Sequence, residues 1–372
     1  MAKRTKKPTK ATASKRATPA SIQRDRVRIQ REVVRLLNRY ASLTTKLAGD
    51  IPPLPPLWQG AFEKALSTSK GPLPLEILDR ALRDLESASR QLIQSVRVAY
   101  LGPPYSYSYL AAIKRFGAGV QLIPTGTIAG VFEEVSAGTV QYGLVPLENS
   151  TDGRVVDTLD MFARVPVRIC DEVQLPIHHN LLACCQRSEI REVYSKPQAL
   201  SQCRAWLSKN LPAVRTVEMT STAAAAQLAA DSHGVAAVAS REAALTYGLD
   251  IIAENIEDRR YNVTRFAVIG DHISPPTGKD KTALMFEIAH RPGALADTMA
   301  SFKTSRINLT WIESFPMPEG TGYLFFVELE GHQQDLRVKK AITSLKRRTL
   351  RLEILGSYPR SESPVEPETA SS

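Results

Sequence analysis

A chain of 372 residues is longer than one ordinary domain, and its 43% hydrophobic content is usual for soluble globular proteins. No stretch approaches the roughly 18 consecutive apolar residues of a membrane-crossing helix, and the amino terminus lacks the apolar core of a secretory signal, so a soluble, cytoplasmic protein is expected. The net charge of +10 invites a nucleic-acid partner, but seven basic residues and no acidic one fall in Met1–Ala20, and the remainder is close to neutral. That distribution argues against nucleic acid and for a solvated basic tail over residues 1–20.

From Ile22 to Leu47 apolar residues recur at helical spacing without Gly or Pro, which predicts a long amphipathic helix. Ile51-Pro-Pro-Leu-Pro-Pro then forces an extended connection, because proline lacks the amide proton and disfavours helix in the residue before it. Helical patterns over Trp58–Ser67 and Leu75–Val96 complete an all-helical unit spanning 21–96. At Arg97 the pattern changes to short apolar strands alternating with helices, the mark of an α/β domain with a largely parallel or mixed sheet over 97–273. After the linker Ser274-Pro-Pro-Thr-Gly-Lys-Asp, residues 280–358 read strand, helix, strand, strand, helix, strand, a ferredoxin-like α+β order. A polar tail is expected over 359–372.

Cys170, Cys184, Cys185 and Cys203 show no CxxC spacing, so neither a zinc site nor a disulfide framework is predicted. His178 and His179 are neighbours in an expected strand and point to opposite faces, a poor geometry for shared ligation. No metal and no cofactor are expected.

Small polar residues gather at the ends of the central domain's predicted strands, where open α/β sheets hold ligands. They include Ser106 and Ser108, Glu148-Asn149-Ser150-Thr151, Ser195 through Gln202, Ser221-Thr222 and Asn262-Val-Thr-Arg-Phe266. Any one of them alone is equally a helix cap or a turn residue.

The segments YLGPPYSYSYLAA, GLVPLENSTDGRVVDTLD, YSKPQALSQC and IEDRRYNVTRFAVIG, in this order over about residues 97–270, resemble prephenate dehydratase. The resemblance implies two α/β lobes like those of type II periplasmic binding proteins, an active site between them, and a carbon–oxygen lyase activity turning prephenate into phenylpyruvate for phenylalanine biosynthesis. It implies Thr264 as the essential hydroxyl, with Glu148 and Asn149 as catalytic neighbours and Ser106, Ser150, Ser195, Gln202, Arg265 and Phe266 as substrate-binding residues. Arg265 suits either a substrate carboxylate or a structural ion pair, and Phe266 either the substrate ring or the core. Tyr105 stands where the family usually has glycine. Arogenate dehydratase is the nearest alternative, since the substrates differ only at a keto or amino group. A bifunctional mutase–dehydratase and a noncatalytic binder of small acids are the others.

His290-Arg-Pro-Gly-Ala-Leu-Ala296 and Trp311-Ile-Glu-Ser-Phe-Pro316 resemble an ACT regulatory domain, which implies phenylalanine as effector and Gly293, Ala294, Leu295, Glu313 and Ser314 as its site. A Pro-Gly loop opening a helix presents backbone amides to a carboxylate. Phe315 replaces the family's usual arginine. The helical unit resembles a chorismate mutase domain, most clearly at Gly71-Pro-Leu-Pro and Ser87-Ala-Ser-Arg. Tyr40, Ile51 and Trp58 fall where that family has cations and Gln59 where it has glutamate, so an inactive unit retained for assembly is expected, in a homodimer or homotetramer.

Overall fold

The computed structural model describes residues 18–47, 62–316 and 322–361. The helical unit has α1 (Pro19–Lys46), α2 (Glu63–Leu66) and α3 (Leu75–Gln91). Thr18 caps α1 by accepting from the Ser21 amide, so the helix begins inside the stretch expected to be tail. The expected helix over 75–96 ends earlier, at Gln91, and only Glu63–Leu66 of the 58–67 prediction is helical among the described residues. Ile51, Trp58 and Gln59 lie outside the described residues. The Ser87-Ala-Ser segment docks α3 on the neighbouring lobe: Ser87 Oγ accepts from the Gly119 amide at 3.1 Å, and a Cβ on Gly119 would lie 2.5 Å from the Ala88 nitrogen. Small residues are needed on both sides of that contact.

The first lobe contains β1 (Arg97–Leu101), α4 (Tyr107–Phe116), β2 (Gln121–Thr125), α5 (Ile128–Ser136), β3 (Tyr142–Asn149), β4 (Gly153–Arg154), α6 (Val156–Arg164) and β5 (Arg168–Pro176). The second contains β6 (Asn180–Ala183), β7 (Glu192–Ser195), α7 (Pro197–Gln202), α8 (Arg204–Asn210), β8 (Arg215–Glu218), α9 (Thr222–Ala230), β9 (Val235–Ala239), α10 (Arg241–Tyr247) and β10 (Asp250–Ala253). The chain then returns to the first lobe as β11 (Val263–Gly270). Both sheets are mixed, ordered β2-β1-β3-β11-β5 with β4 paired to β3, and β10-β6-β9-β7-β8. The two crossings between lobes touch where the Ile177 amide donates to the Asn262 carbonyl at 2.8 Å, forming a hinge. His178 and His179 belong to this irregular crossing rather than to the expected strand.

The third unit runs β12 (Asp280–Glu287), α11 (Ala294–Thr304), β13 (Leu309–Pro316), β14 (Tyr323–Glu330), α12 (Leu336–Lys346) and β15 (Arg351–Pro359). Its antiparallel order β13-β14-β12-β15 is that of a βαββαβ sandwich, with helices on one face. The other face shares a core with the first lobe, where Met285, Phe326 and Tyr358 meet Val145, Leu147 and Ile169. Burying one side chain such as Phe326 contributes about 1.5–3 kcal/mol, so this is a common core rather than a tether. Gly356 permits the approach, since a Cβ there would fall 2.1 Å from the Ile169 carbonyl oxygen. The polar tail starts later than expected: Pro359 pairs with Asp280, and the buried Ser361 donates its amide to Glu172 at 2.9 Å. Among the described residues no helix is long and apolar enough to cross a membrane.

Candidate active site

Strand β3 ends at Asn149 and turns back through Gly153, whose φ of 82° favours glycine. The Asn149 carboxamide oxygen accepts from the Thr151 and Asp152 amides at 2.9 and 3.0 Å, an Asx-type turn that fixes which end of the side chain is which. Its nitrogen must therefore face away, and it donates to Thr264 Oγ1 at 2.8 Å and Asn262 Oδ1 at 2.9 Å. Asn262 in turn donates to Gln202 Oε1 at 2.9 Å, and Gln202 Nε2 donates to Asp152 Oδ2 at 2.9 Å. Gln202 belongs to the second lobe and the others to the first or the hinge, so the chain of amides bridges the cleft.

Two further groups complete this cluster. His179 Nε2 lies 2.8 Å from Gln202 Oε1, and its Nδ1 lies 3.1 Å from the Tyr107 hydroxyl. The Thr151 hydroxyl is buried beside the cluster without a hydrogen-bond partner. Ser106 caps α4, accepting from the Tyr109 amide and donating to the Leu101 carbonyl, and Ser150 accepts from the Val263 amide at 2.9 Å. Both hold the loops that frame the cleft.

Several expected site residues lie elsewhere. In β11 and β3, Arg265 pairs across the strands with Glu148 as Thr264 does with Asn149, so alternation turns the charged pair to the opposite face. Arg265 forks onto Glu328 at 2.7 and 3.1 Å and approaches Glu172 at 3.4 Å and Glu148 at 3.3 Å. Lys281 reaches Glu172 at 3.0 Å and Tyr358 donates to Glu328 at 2.7 Å. Neither Arg265 nor Glu148 therefore faces Thr264. Burial opposes the Glu328 charge, but Arg265 and Lys281 outweigh it and hold that carboxyl below its ordinary range. Phe266 is 2% exposed among Val98, Tyr100, Leu144 and Val268, a core position with no ligand face. Ser195 is fully buried and donates to the Val238 carbonyl at 2.6 Å, which makes it a structural hydroxyl.

In the third unit Gly293 caps α11 with φ of 83°, beside a cavity of about 530 Å³ lined by Ile288, His290, Ala294, Leu295, Met299, Tyr323 and Phe325. The Ala294 amide donates to the Arg291 carbonyl at 3.2 Å, so it is not a free donor as expected. Ser314 pairs with Phe325 and shares its side of the sheet, whereas Glu313 is on the other face in an ion pair with Arg154 and does not join the cavity. Phe315, in place of the usual arginine, is 8% exposed in the core shared with the first lobe.

Fold and cleft together define a hinged two-lobed α/β protein with a polar, amide-rich site between its lobes and a βαββαβ unit fused to one of them. The sequence pattern of the prephenate dehydratase family matches residues 98–274. A bifunctional chorismate mutase/prephenate dehydratase of Aquifex aeolicus is 42% identical over 346 residues, covering 90% of this chain and 95% of the relative. The chain belongs to the prephenate dehydratase family. Among solved structures, a prephenate dehydratase from Arthrobacter aurescens in complex with L-Phe is 32% identical with a TM-score of 0.67, covering 73% of this chain and 94% of that one. A protein described as GqqA, a novel type of quorum quenching acylase, is 28% identical with a TM-score of 0.66, covering 71% and 98%.

Proposed function

We propose that this chain converts prephenate to phenylpyruvate, with Thr264 as the donor to the departing hydroxyl. The carboxylate on the ring carbon leaves as carbon dioxide, its bonding electrons move through the ring, and the opposite carbon–oxygen bond breaks, the departing hydroxide taking a proton through the Thr264 hydroxyl, which regains one from solvent, to leave as water. Aromatisation supplies the driving force and no redox step occurs. One observation carries the assignment: Asn149 is oriented by the turn so that it donates to Thr264 Oγ1, which leaves the threonine's own proton free to point at a ligand. A threonine hydroxyl is a weak acid, so preorganised position must supply much of the effect. With Arg265 engaged elsewhere, the amino end of α4 beside Ser106, the Thr151 hydroxyl and the second amide hydrogen of Gln202 are the groups we assign to the substrate's polar ends.

The test supplies purified protein with prephenate, arogenate and chorismate separately. Phenylpyruvate from prephenate is the expected product, with Thr264→Ala losing most turnover and Thr264→Ser retaining part of it. Faster conversion of arogenate would assign the alternative substrate, and near-normal turnover by Thr264→Ala would remove that hydroxyl from the reaction. Chorismate should not be consumed. In support, Tyr40 faces α3 and donates to Glu86 at 2.8 Å while Arg39, the cation that a shifted register would put in its place, is exposed, and burial followed by that hydrogen bond pushes the phenol up to about 12. A neutral phenol against a carboxylate is a poor replacement for a cation that meets a dianion.

We assign L-phenylalanine to the cavity beside Gly293, whose apolar wall of Ile288, Leu295, Met299 and Phe325 suits an aromatic side chain. Calorimetric titration of wild type and Gly293→Val tests it, and identical affinity in both would place the effector elsewhere. We also assign a homodimer or homotetramer that covers the apolar residues of α1, including Val33, Val34 and Leu37, which are 41–57% exposed in one chain. Light scattering at working concentration is the check, and a monomer would overturn it.

A further inference from the structure

The contacts that tie the lobes together beside Thr264 define the protonation of a buried histidine. His179 is 2% exposed in the crossing from the first lobe to the second. Gln202 Nε2 donates to the Asp152 carboxylate, which can only accept, so the Gln202 oxygen points the other way. That oxygen accepts from Asn262 Nδ2 and also faces His179 Nε2 at 2.8 Å. A carboxamide oxygen cannot donate. The hydrogen therefore sits on Nε2, and in the neutral ring Nδ1 can only accept, sharing the single Tyr107 proton with the nearer His178 carbonyl.

Tyr107 opens α4 in the first lobe, and its hydroxyl lies 2.7 Å from the His178 carbonyl as well as 3.1 Å from His179 Nδ1. The tyrosine ring packs edge-on against the imidazole with centroids 5.7 Å apart. The His179 backbone is pinned too, its amide donating to Glu257 at 2.9 Å. One imidazole thus connects the α4 end of the first lobe to the Gln202 amide of the second, and Gln202 is the group that holds Asn262 in the orientation that accepts from Asn149.

We propose that His179, as a neutral imidazole protonated on Nε2, is a positioning residue for the dehydration: with Tyr107 it latches the lobes and holds Gln202 so that the amide chain ending at Thr264 keeps a single direction. This rests on Thr264 being the donor to the leaving group. Without the imidazole, Gln202 and Asn262 can each rotate, and a turned Asn262 would set its own NH2 group against that of Asn149, pushing the donor to Thr264 out of line.

The experiment has two arms on the full-length protein. In the first, histidine side chains are labelled with nitrogen-15, and the His179 signal is assigned by its loss in His179→Gln. A neutral ring with hydrogen on Nε2 near neutral pH is expected, and the opposite tautomer or an imidazolium would overturn the assignment. In the second, His179→Ala should lower kcat about 10- to 100-fold, the scale of a misplaced reacting group, with KM rising by less, about two- to tenfold, as a contact between the lobes is lost. His179→Gln, whose amide can still donate to Gln202, should recover most of that loss. Wild-type kcat in His179→Ala, or a glutamine variant as impaired as the alanine one, would overturn the positioning role. Absence of prephenate turnover in wild type would instead overturn the dehydratase reading, and the tautomer spectrum would decide the hydrogen-bond assignment by itself.

Discussion

On one face of strand β11 Thr264 meets neutral amides, and on the other, one residue along, Arg265 meets three carboxylates. The amide face crosses a cleft between two lobes; the charged face crosses a shared core between the first lobe and the βαββαβ unit. Hydrogen bonds between neutral amides are worth only about 0.5–1.5 kcal/mol each against water and the one to the Asp152 carboxylate about 1.5–3, so a cleft closed by them can open and be re-solvated. Leaving a buried charge without its partner costs about 3–5 kcal/mol, so the joint behind Thr264 holds its geometry. A movable side that accepts ligand and a fixed side that keeps its shape are separated by one peptide unit.

The sharpest way to break this contrast is to compare adjacent residues of β3. Asn149→Ala removes the donor that orients Thr264 and should lower kcat by about 100- to 1,000-fold, as loss of one preorganised donor does elsewhere. Glu148→Ala, on the opposite face, should stay within about threefold of wild type in kcat, because general positioning rather than a proton relay is lost there. Steady-state rates on prephenate check both, and an equal loss in the two variants would dissolve the distinction between the faces.

The charged face should respond in stability instead. Arg265→Met takes the forked partner from Glu328 and leaves Lys281 to two buried carboxylates, and Glu328→Gln leaves Arg265 with Glu148 and Glu172 alone; each should cost about 1.5–3 kcal/mol in denaturant unfolding. The double variant should recover part of the loss, because removing both partners leaves no buried charge unpaired. Additive losses would show that the residues act independently.

The alternation of strand and helix patterns makes the α/β class and the βαββαβ order legible, since both rest on local periodicity, whereas the division into two lobes follows only from the family resemblance. Thr264, Asn149 and Gln202 are legible from motifs, and they do converge. Strand alternation already forbids Glu148 and Asn149, or Thr264 and Arg265, from sharing a face, and that signal in the sequence outweighs their adjacency in a motif. What no local pattern reveals is that Glu328, 63 residues from Arg265, arrives on its far side. Ser195 misleads for a related reason: a hydroxyl at a strand end reads as ligand-facing, but this one satisfies itself on the next strand's carbonyl. In the sequence His179 is weighed only against metal ligation, which its spacing opposes, and its partners Tyr107 and Gln202 are joined by the lobe arrangement rather than by spacing.

A pH titration separates the latch from the rest of the cleft. Burial, opposed by the Gln202 hydrogen bond and by Glu257 and Asp152 and reinforced by His178, holds the His179 pKa below the ordinary value of about 6.5. Between that value and the folded one the unfolded chain binds more protons, so stability falls as pH drops through the window. His272, also lowered by burial, adds a loss of the same sign. Denaturant midpoints from pH 7.5 down to pH 5 should therefore fall more steeply for wild type than for His179→Gln, with about 1.4 kcal/mol lost for every tenfold by which folding weakens proton binding to the ring. Parallel curves would mean that His179 titrates alike in both states.

The smallest effect is expected at Tyr105, where the family usually has glycine. Its φ of 64° lies in the left-handed region, which costs a side chain about 1–2 kcal/mol. The ring makes two contacts in return, with Tyr109 at 5.1 Å and, across the cleft, edge-on with Tyr247 of α10 at 6.1 Å. Aromatic pairs of this kind contribute about 0.5–1.5 kcal/mol, so strain and contact nearly cancel in the closed form. In an open form the Tyr247 contact is gone while the strain remains, and the tyrosine therefore favours closure. Tyr105→Gly should leave global stability within about 1 kcal/mol of wild type and kcat unchanged, because neither the amide chain nor Thr264 is touched. The change belongs in KM, which should rise by about two- to tenfold, the equivalent of losing one such aromatic contact on closing. Tyr247→Ala should raise KM similarly, and the double variant should do little more than either single one, since both remove the same contact. Independent, multiplying effects on KM would show that the two rings do not act as a pair across the cleft.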